Sequence, residues 1–71
     1  MIKSQTLDLH RLNPRERQTM SLLALGYRDW EIAEKMAISA QTEQELLRGM
    51  ITKLGAADRL ELAFYAYRNR L

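Results

Sequence analysis

From about residue 14 to the end, apolar residues recur at three- and four-residue spacing and no stretch alternates as a strand would, so the chain predicts an all-α fold of four helices. Asn13-Pro14-Arg15-Glu16 opens the first. Asn13 can cap it, Pro14 suits the first helical position, and Glu16 can reach back to complete a capping box. Met20, Leu22, Leu23 and Leu25 form its apolar face, Arg15, Arg17 and Gln18 its wet face, and Gly26 its stop. A short second helix is expected over Asp29 to Met36, capped by Asp29, burying Ile32, Ala33 and Met36 with Trp30 near its exposed start. Ala37-Ile38-Ser39 breaks the pattern, and Ser39 is placed to cap a third helix, Ala40 to Leu54, closed by Gly55. Asp58-Arg59-Leu60-Glu61 repeats the capping-box spacing and opens a fourth helix that carries two apolar stripes. One contains Leu60, Ala63, Phe64, Tyr67 and Leu71, the other Leu62, Tyr65, Ala66 and Asn69.

Composition narrows what such helices can do. With 71 residues the chain holds one small domain with a thin core, expected over residues 12–71 after an N-terminal tail, residues 1–11. A content of 46% hydrophobic against 28% charged residues is that of a folding chain. No cysteine is present, and neither a secretory leader nor a bilayer-length apolar run can be found, so a cytoplasmic protein is expected. Eleven Lys and Arg against nine Asp and Glu give a net charge of +2, which permits nucleic-acid binding without demanding it. Catalysis finds no support: there is no glycine-rich phosphate loop, paired-histidine motif or cysteine nucleophile, and too little chain to enclose a pocket. His10 stands alone as a tail residue, and no metal, cofactor or small-molecule ligand is expected.

A short helix, a tight turn centred on Ile38 and a longer second helix make a helix-turn-helix arrangement. Ala33 is small enough to let the two helices approach. From Leu12 to Leu71 the chain also resembles the LuxR/GerE-type helix-turn-helix family. The resemblance rests on Leu12, Pro14, Arg15, Glu16 and Arg17; Gly26; Glu31, Ile32, Ala33 and Glu34; Ile38, Ser39 and Thr42; Lys53, Leu54 and Gly55; and Arg59, Glu61 and Ala66, in register without a gap. It implies a four-helix bacterial DNA-binding domain that commonly dimerises through its fourth helix.

The departures cluster in the third helix. Where that family runs Thr-Val-Lys-x-His, this chain has Thr42, Glu43, Gln44, Glu45 and Leu46, so two habitual cations are absent. An expected glycine in the turn is Ala37. On a groove-bound helix Gln44 can bond bidentately to adenine, Glu45 can accept from cytosine N4, and Arg48 can take guanine or a phosphate. Gln41 belongs to the same helix start. The resemblance places Thr42, Trp30, Arg28 and Lys53 near the DNA backbone. Glu43 and Glu45 are also explained by the preference of helix N-termini for negative charge, Trp30 equally by packing on the bundle, and Leu47, Met50, Ile51 and Leu54 by a core stripe.

A small stand-alone regulator is therefore expected, controlled by its own abundance or by a partner. It binds double-stranded DNA through Ala40 to Leu54, paired as a homodimer through Leu62, Tyr65, Ala66 and Asn69. The alternative is a degenerate helix-turn-helix that has become a protein-binding module or antagonist of another regulator, pairing with it through the fourth helix or through the surface of Glu43, Glu45 and Leu46.

Overall fold

A computed structural model of the chain describes residues 11–69 and bears out the expected all-α architecture. Its helices are α1, Pro14–Ala24; α2, Asp29–Met36; α3, Ala40–Leu54; and α4, Arg59–Arg68. The expected tail lies outside the described residues apart from Arg11, as do His10 and Leu71.

Local chemistry sets the boundaries. At α1 the capping box is complete: Asn13 Oδ1 accepts from the Glu16 N–H at 2.8 Å, and Glu16 Oε1 accepts from the Asn13 N–H at 3.0 Å. Ser39 Oγ accepts from the Thr42 N–H at 3.0 Å to start α3, and Asp58 Oδ1 accepts from the Glu61 N–H at 2.9 Å to start α4. The expected cap of α2 is corrected. Arg28 has the extended backbone of the cap position and Asp29 is already helical, while Glu31 Oε1 accepts from the Arg28 N–H at 2.8 Å. Asp29 is thereby released for a different task.

The first three helices end in the same way, with a left-handed residue followed by a backbone bond that skips back over the last turn. Gly26 and Gly55 hold two of these positions at φ of 89° and 71°. Ala37 holds the third at φ 57°, where the Ile38 N–H reaches the Ala33 carbonyl at 3.0 Å. An alanine methyl is unfavourable there, because Cβ crowds the carbonyl, by roughly 1–2 kcal/mol. Part of that penalty is offset because alanine is less free than glycine in the unfolded chain. The variant Ala37→Gly is expected to gain about 0.5 kcal/mol, read as a raised Tm in thermal unfolding; a lower Tm would contradict the strain.

The core lies where α1 packs on α4 and α2 on α3. Leu12, Met20, Leu23, Ile32, Leu47, Met50, Leu62 and Ala66 form it, with Leu22, Met36, Ile51 and Leu54 half-buried against it. Leu25, expected on the apolar face of α1, is 72% exposed: it follows the last residue of the helix, where the chain has turned from the core. Thr19 is buried, and its hydroxyl donates to the Arg15 carbonyl at 2.9 Å, which removes the cost of placing it there.

Candidate nucleic-acid interface

The α2-turn-α3 unit holds the longest helix with one face in the core and the other in solvent. Glu43, Leu47 and Met50 point inward, four and three residues apart, as a single stripe of the helix must. Gln41, Gln44, Glu45 and Arg48 are all exposed and repeat at the same spacing on the opposite face. Four of the residues expected to touch DNA therefore share one surface. Arg48 and Glu45, together with Arg11, Gly49, Thr52 and Lys53, border a shallow depression along α3.

At the start of α3 Thr42 is half-buried, its hydroxyl accepting from Ser39 Oγ at 2.9 Å. Arg28 and Trp30 stand at the start of α2, both exposed. Trp30, at 62% exposure, does not pack into the bundle; of the two roles open to it, surface contact fits and stapling does not.

Lys53 is placed differently from expectation. Its ammonium donates to Glu16 Oε1 at 2.8 Å, to Glu16 Oε2 at 2.9 Å and to the Arg11 carbonyl at 3.1 Å. An ammonium has three donors, so this set occupies them all. Lys53 ties the end of α3 to the start of α1 and is not held out toward a phosphate. Burial pushes the Glu16 carboxyl upward, but the bond from Lys53, the Asn13 N–H and the lysine charge together outweigh it and hold that carboxyl below its usual range.

Glu43 departs furthest from the surface reading. It is fully buried, and neither carboxylate oxygen has a hydrogen-bond partner. Burial first, then the charge of the nearby Asp29 carboxylate and the hydrogen bond that Asp29 can accept from a protonated Glu43, raise its pKa to about 7, with the Arg59 guanidinium opposing. Asp29 is itself paired with Arg59, whose Nε donates to Asp29 Oδ1 at 2.6 Å and whose Nη2 reaches the Tyr27 carbonyl at 3.3 Å. This bridge between α2 and α4 is what Asp29 does instead of capping. The protein-facing surface expected from Glu43, Glu45 and Leu46 loses its first member, and the α3 solvent face is correspondingly less acidic.

The surface expected for pairing on α4 is also corrected. Leu62 and Ala66 are completely buried in the domain's own core, Tyr65 is half-buried, and Asn69, exposed, donates from Nδ2 to the Tyr65 carbonyl at 2.8 Å. α4 turns its other stripe outward. Leu60, Phe64 and Tyr67 are 75%, 55% and 70% exposed, and with Leu23 and Ala24 of α1 they line an apolar hollow.

Among the described residues no helix is long and apolar enough to cross a membrane, and no three His, Asp or Glu side chains converge on a metal site.

Comparison with known proteins agrees with this geometry. The family model described as bacterial regulatory proteins, luxR family, matches residues 10–66. The oxygen regulatory protein NreC of Staphylococcus aureus strain JH9 is 38% identical over 60 residues, which cover 84% of this chain and 28% of NreC. NreC from strains JH1 and Mu3 matches to the same extent. The chain thus spans somewhat over a quarter of the length of these relatives. No solved structure matches it significantly. A family match across most of the sequence, on a four-helix scaffold whose third helix bares one polar face, establishes that the chain belongs to the luxR family of bacterial regulatory proteins and carries its helix-turn-helix DNA-binding domain.

Proposed function

We propose that the domain binds DNA sequence-specifically as a homodimer and regulates transcription, with α3 lying in the major groove. The observation that carries this is the single exposed row of Gln41, Gln44, Glu45 and Arg48 on a helix whose opposite face is locked in the core. Such a row can reach base edges only if its helix does not shift, and the core stripe of α3 supplies that rigidity. Gln44 reads adenine, Glu45 accepts from a cytosine amino group, and Arg48 takes guanine or a phosphate. Arg28, Trp30 and Thr42 contact the backbone from the start of the two helices. Pairing is through Leu60, Phe64 and Tyr67, the apolar stripe that α4 leaves in solvent, and a two-fold axis there sets two α3 helices on successive major grooves. The name of NreC, an oxygen regulatory protein, supports a regulatory role for a domain of this kind.

The test is anisotropy titration of wild type and Gln44→Ala against a bound duplex and its single-base variants. Gln44→Ala is expected to lose about 1–3 kcal/mol of discrimination at one position and to keep it elsewhere. An unchanged profile, or a uniform loss at all positions, would exclude Gln44 as a base reader.

A further inference from the structure

The seat of α3 contains a group that a core rejects in its ionised form. Both oxygens of Glu43 are shut off from water and unpaired, and the charged groups that bear on it are Asp29 from α2 and Arg59 from α4. Those two already neutralise each other across 2.6 Å, and Arg59 has a further bond to the Tyr27 carbonyl. An ionised Glu43 would therefore confront the Asp29 carboxylate without a hydrogen bond of its own, beside an Arg59 charge already shared with Asp29. Neutral, it fits as an uncharged side chain of moderate size, and its hydroxyl can donate to the Asp29 carboxylate. The start of α3 favours an anion, yet only for a carboxylate that can reach the free N–H groups of its first turn, and Glu43 already belongs to the hydrogen-bonded helix through its N–H to the Ser39 carbonyl.

We propose that Glu43 is a proton-operated latch on the recognition helix: protonated, it lets α3 seat against α2 and α4; ionised, it leaves the core and displaces the first turns of α3. Thr42 and Gln44 are its immediate neighbours in sequence, so its exit moves the side chains that face DNA. The carboxyl titrates at about 7, within the range where small pH changes alter its charge. Only the neutral form supports the rigid reading row, so DNA binding takes up a proton and affinity falls as pH rises through neutrality. The effect on affinity rests on the DNA-binding reading above; the effect on the seat of α3 does not.

The experiment compares wild type with Glu43→Gln, and with Glu43→Val should the amide not fold, all in a His10→Gln background that removes the chain's single imidazole. DNA affinity and the protection factors of α3 amides against hydrogen exchange are followed from about pH 6 to about pH 8.5. Wild type is expected to lose about tenfold in affinity across that range, with protection falling in the first half of α3, while the variants change less than about twofold. A flat wild type, or variants that keep the full pH dependence, overturns the latch. Should wild type bind no DNA at any pH, the DNA-binding reading fails and the protection factors alone decide: a fall in wild type only upholds the latch, and equal behaviour overturns it.

Discussion

Glu43→Val is expected to make the domain more stable than wild type by about 3 kcal/mol at pH 8, an unusually large gain for one substitution. The size follows from the carboxyl's two environments: it titrates near 4.5 when solvated and at about 7 in the folded chain. Between these values the folded state holds the proton more tightly than the unfolded state does. Wild-type stability therefore falls as pH rises from about 4.5 to about 7, and above that window the domain bears the full cost of ionising Glu43, whether the anion stays in the core or α3 shifts to release it. Valine has no proton to lose and places only apolar atoms in a site that is closed to water. Glu16 acts in the opposite sense, since its carboxyl is held below its usual range and its contribution disappears as pH falls through that lower value. Wild type should thus be most stable in mildly acidic solution, near pH 5. Urea unfolding at pH 5 and pH 8 measures both effects. A wild type equally stable at the two values, or a valine variant weaker than wild type at pH 8, would contradict the burial of an ionisable group.

Leu62→Ala is expected to destabilise the domain by about 3 kcal/mol, whereas Leu60→Ala, two residues away on the same helix, should fall within about 0.5 kcal/mol of wild type. Leu62 is wholly enclosed by the packing of α1 on α4, so shortening it leaves a cavity that the small core closes poorly. Leu60 is 75% exposed and loses little packing within its own chain. The same variant should weaken DNA binding if Leu60 belongs to the pairing stripe, because a monomer engages only one half-site. Equal effects of the two alanines on stability would mean that α4 is rotated from the orientation described.

These two residues also show where sequence reasoning reached its limit. Asn13, Ser39 and Gly55 were legible because a cap or a left-handed stop depends on residues within one turn. α4 was not legible in this way: both of its stripes are apolar, and which one turns inward depends on how closely α1 approaches. The close approach takes Leu62 and the small Ala66, leaving the bulkier Phe64 and Tyr67 outside. Glu43 was assigned to the surface because acidic residues favour helix starts, yet its distances of four and seven residues from Leu47 and Met50 place it on the core stripe. That periodicity was a usable signal, overridden by the charge. Lys53 had no comparable signal, since its partner Glu16 lies 37 residues away and the pairing exists only after α1 and α3 have docked. Gln41, Gln44, Glu45 and Arg48 are expected to face DNA from their place on a groove-bound helix, and the structure sets all four on one exposed face.

With Lys53 paired to Glu16, α3 keeps Arg48 as its one exposed cation, and on the proposed function sequence recognition rests on a small number of contacts. Selection of bound duplexes from a random pool at two salt concentrations tests this most directly. The expected result is enrichment of a two-fold symmetric motif with an adenine contacted by Gln44, and a salt dependence of roughly −2 in log–log slope per protomer, the value for two phosphate contacts from Arg28 and Arg48. No enrichment over the starting pool at the lower salt concentration would contradict the assignment of α3 as a DNA-reading helix.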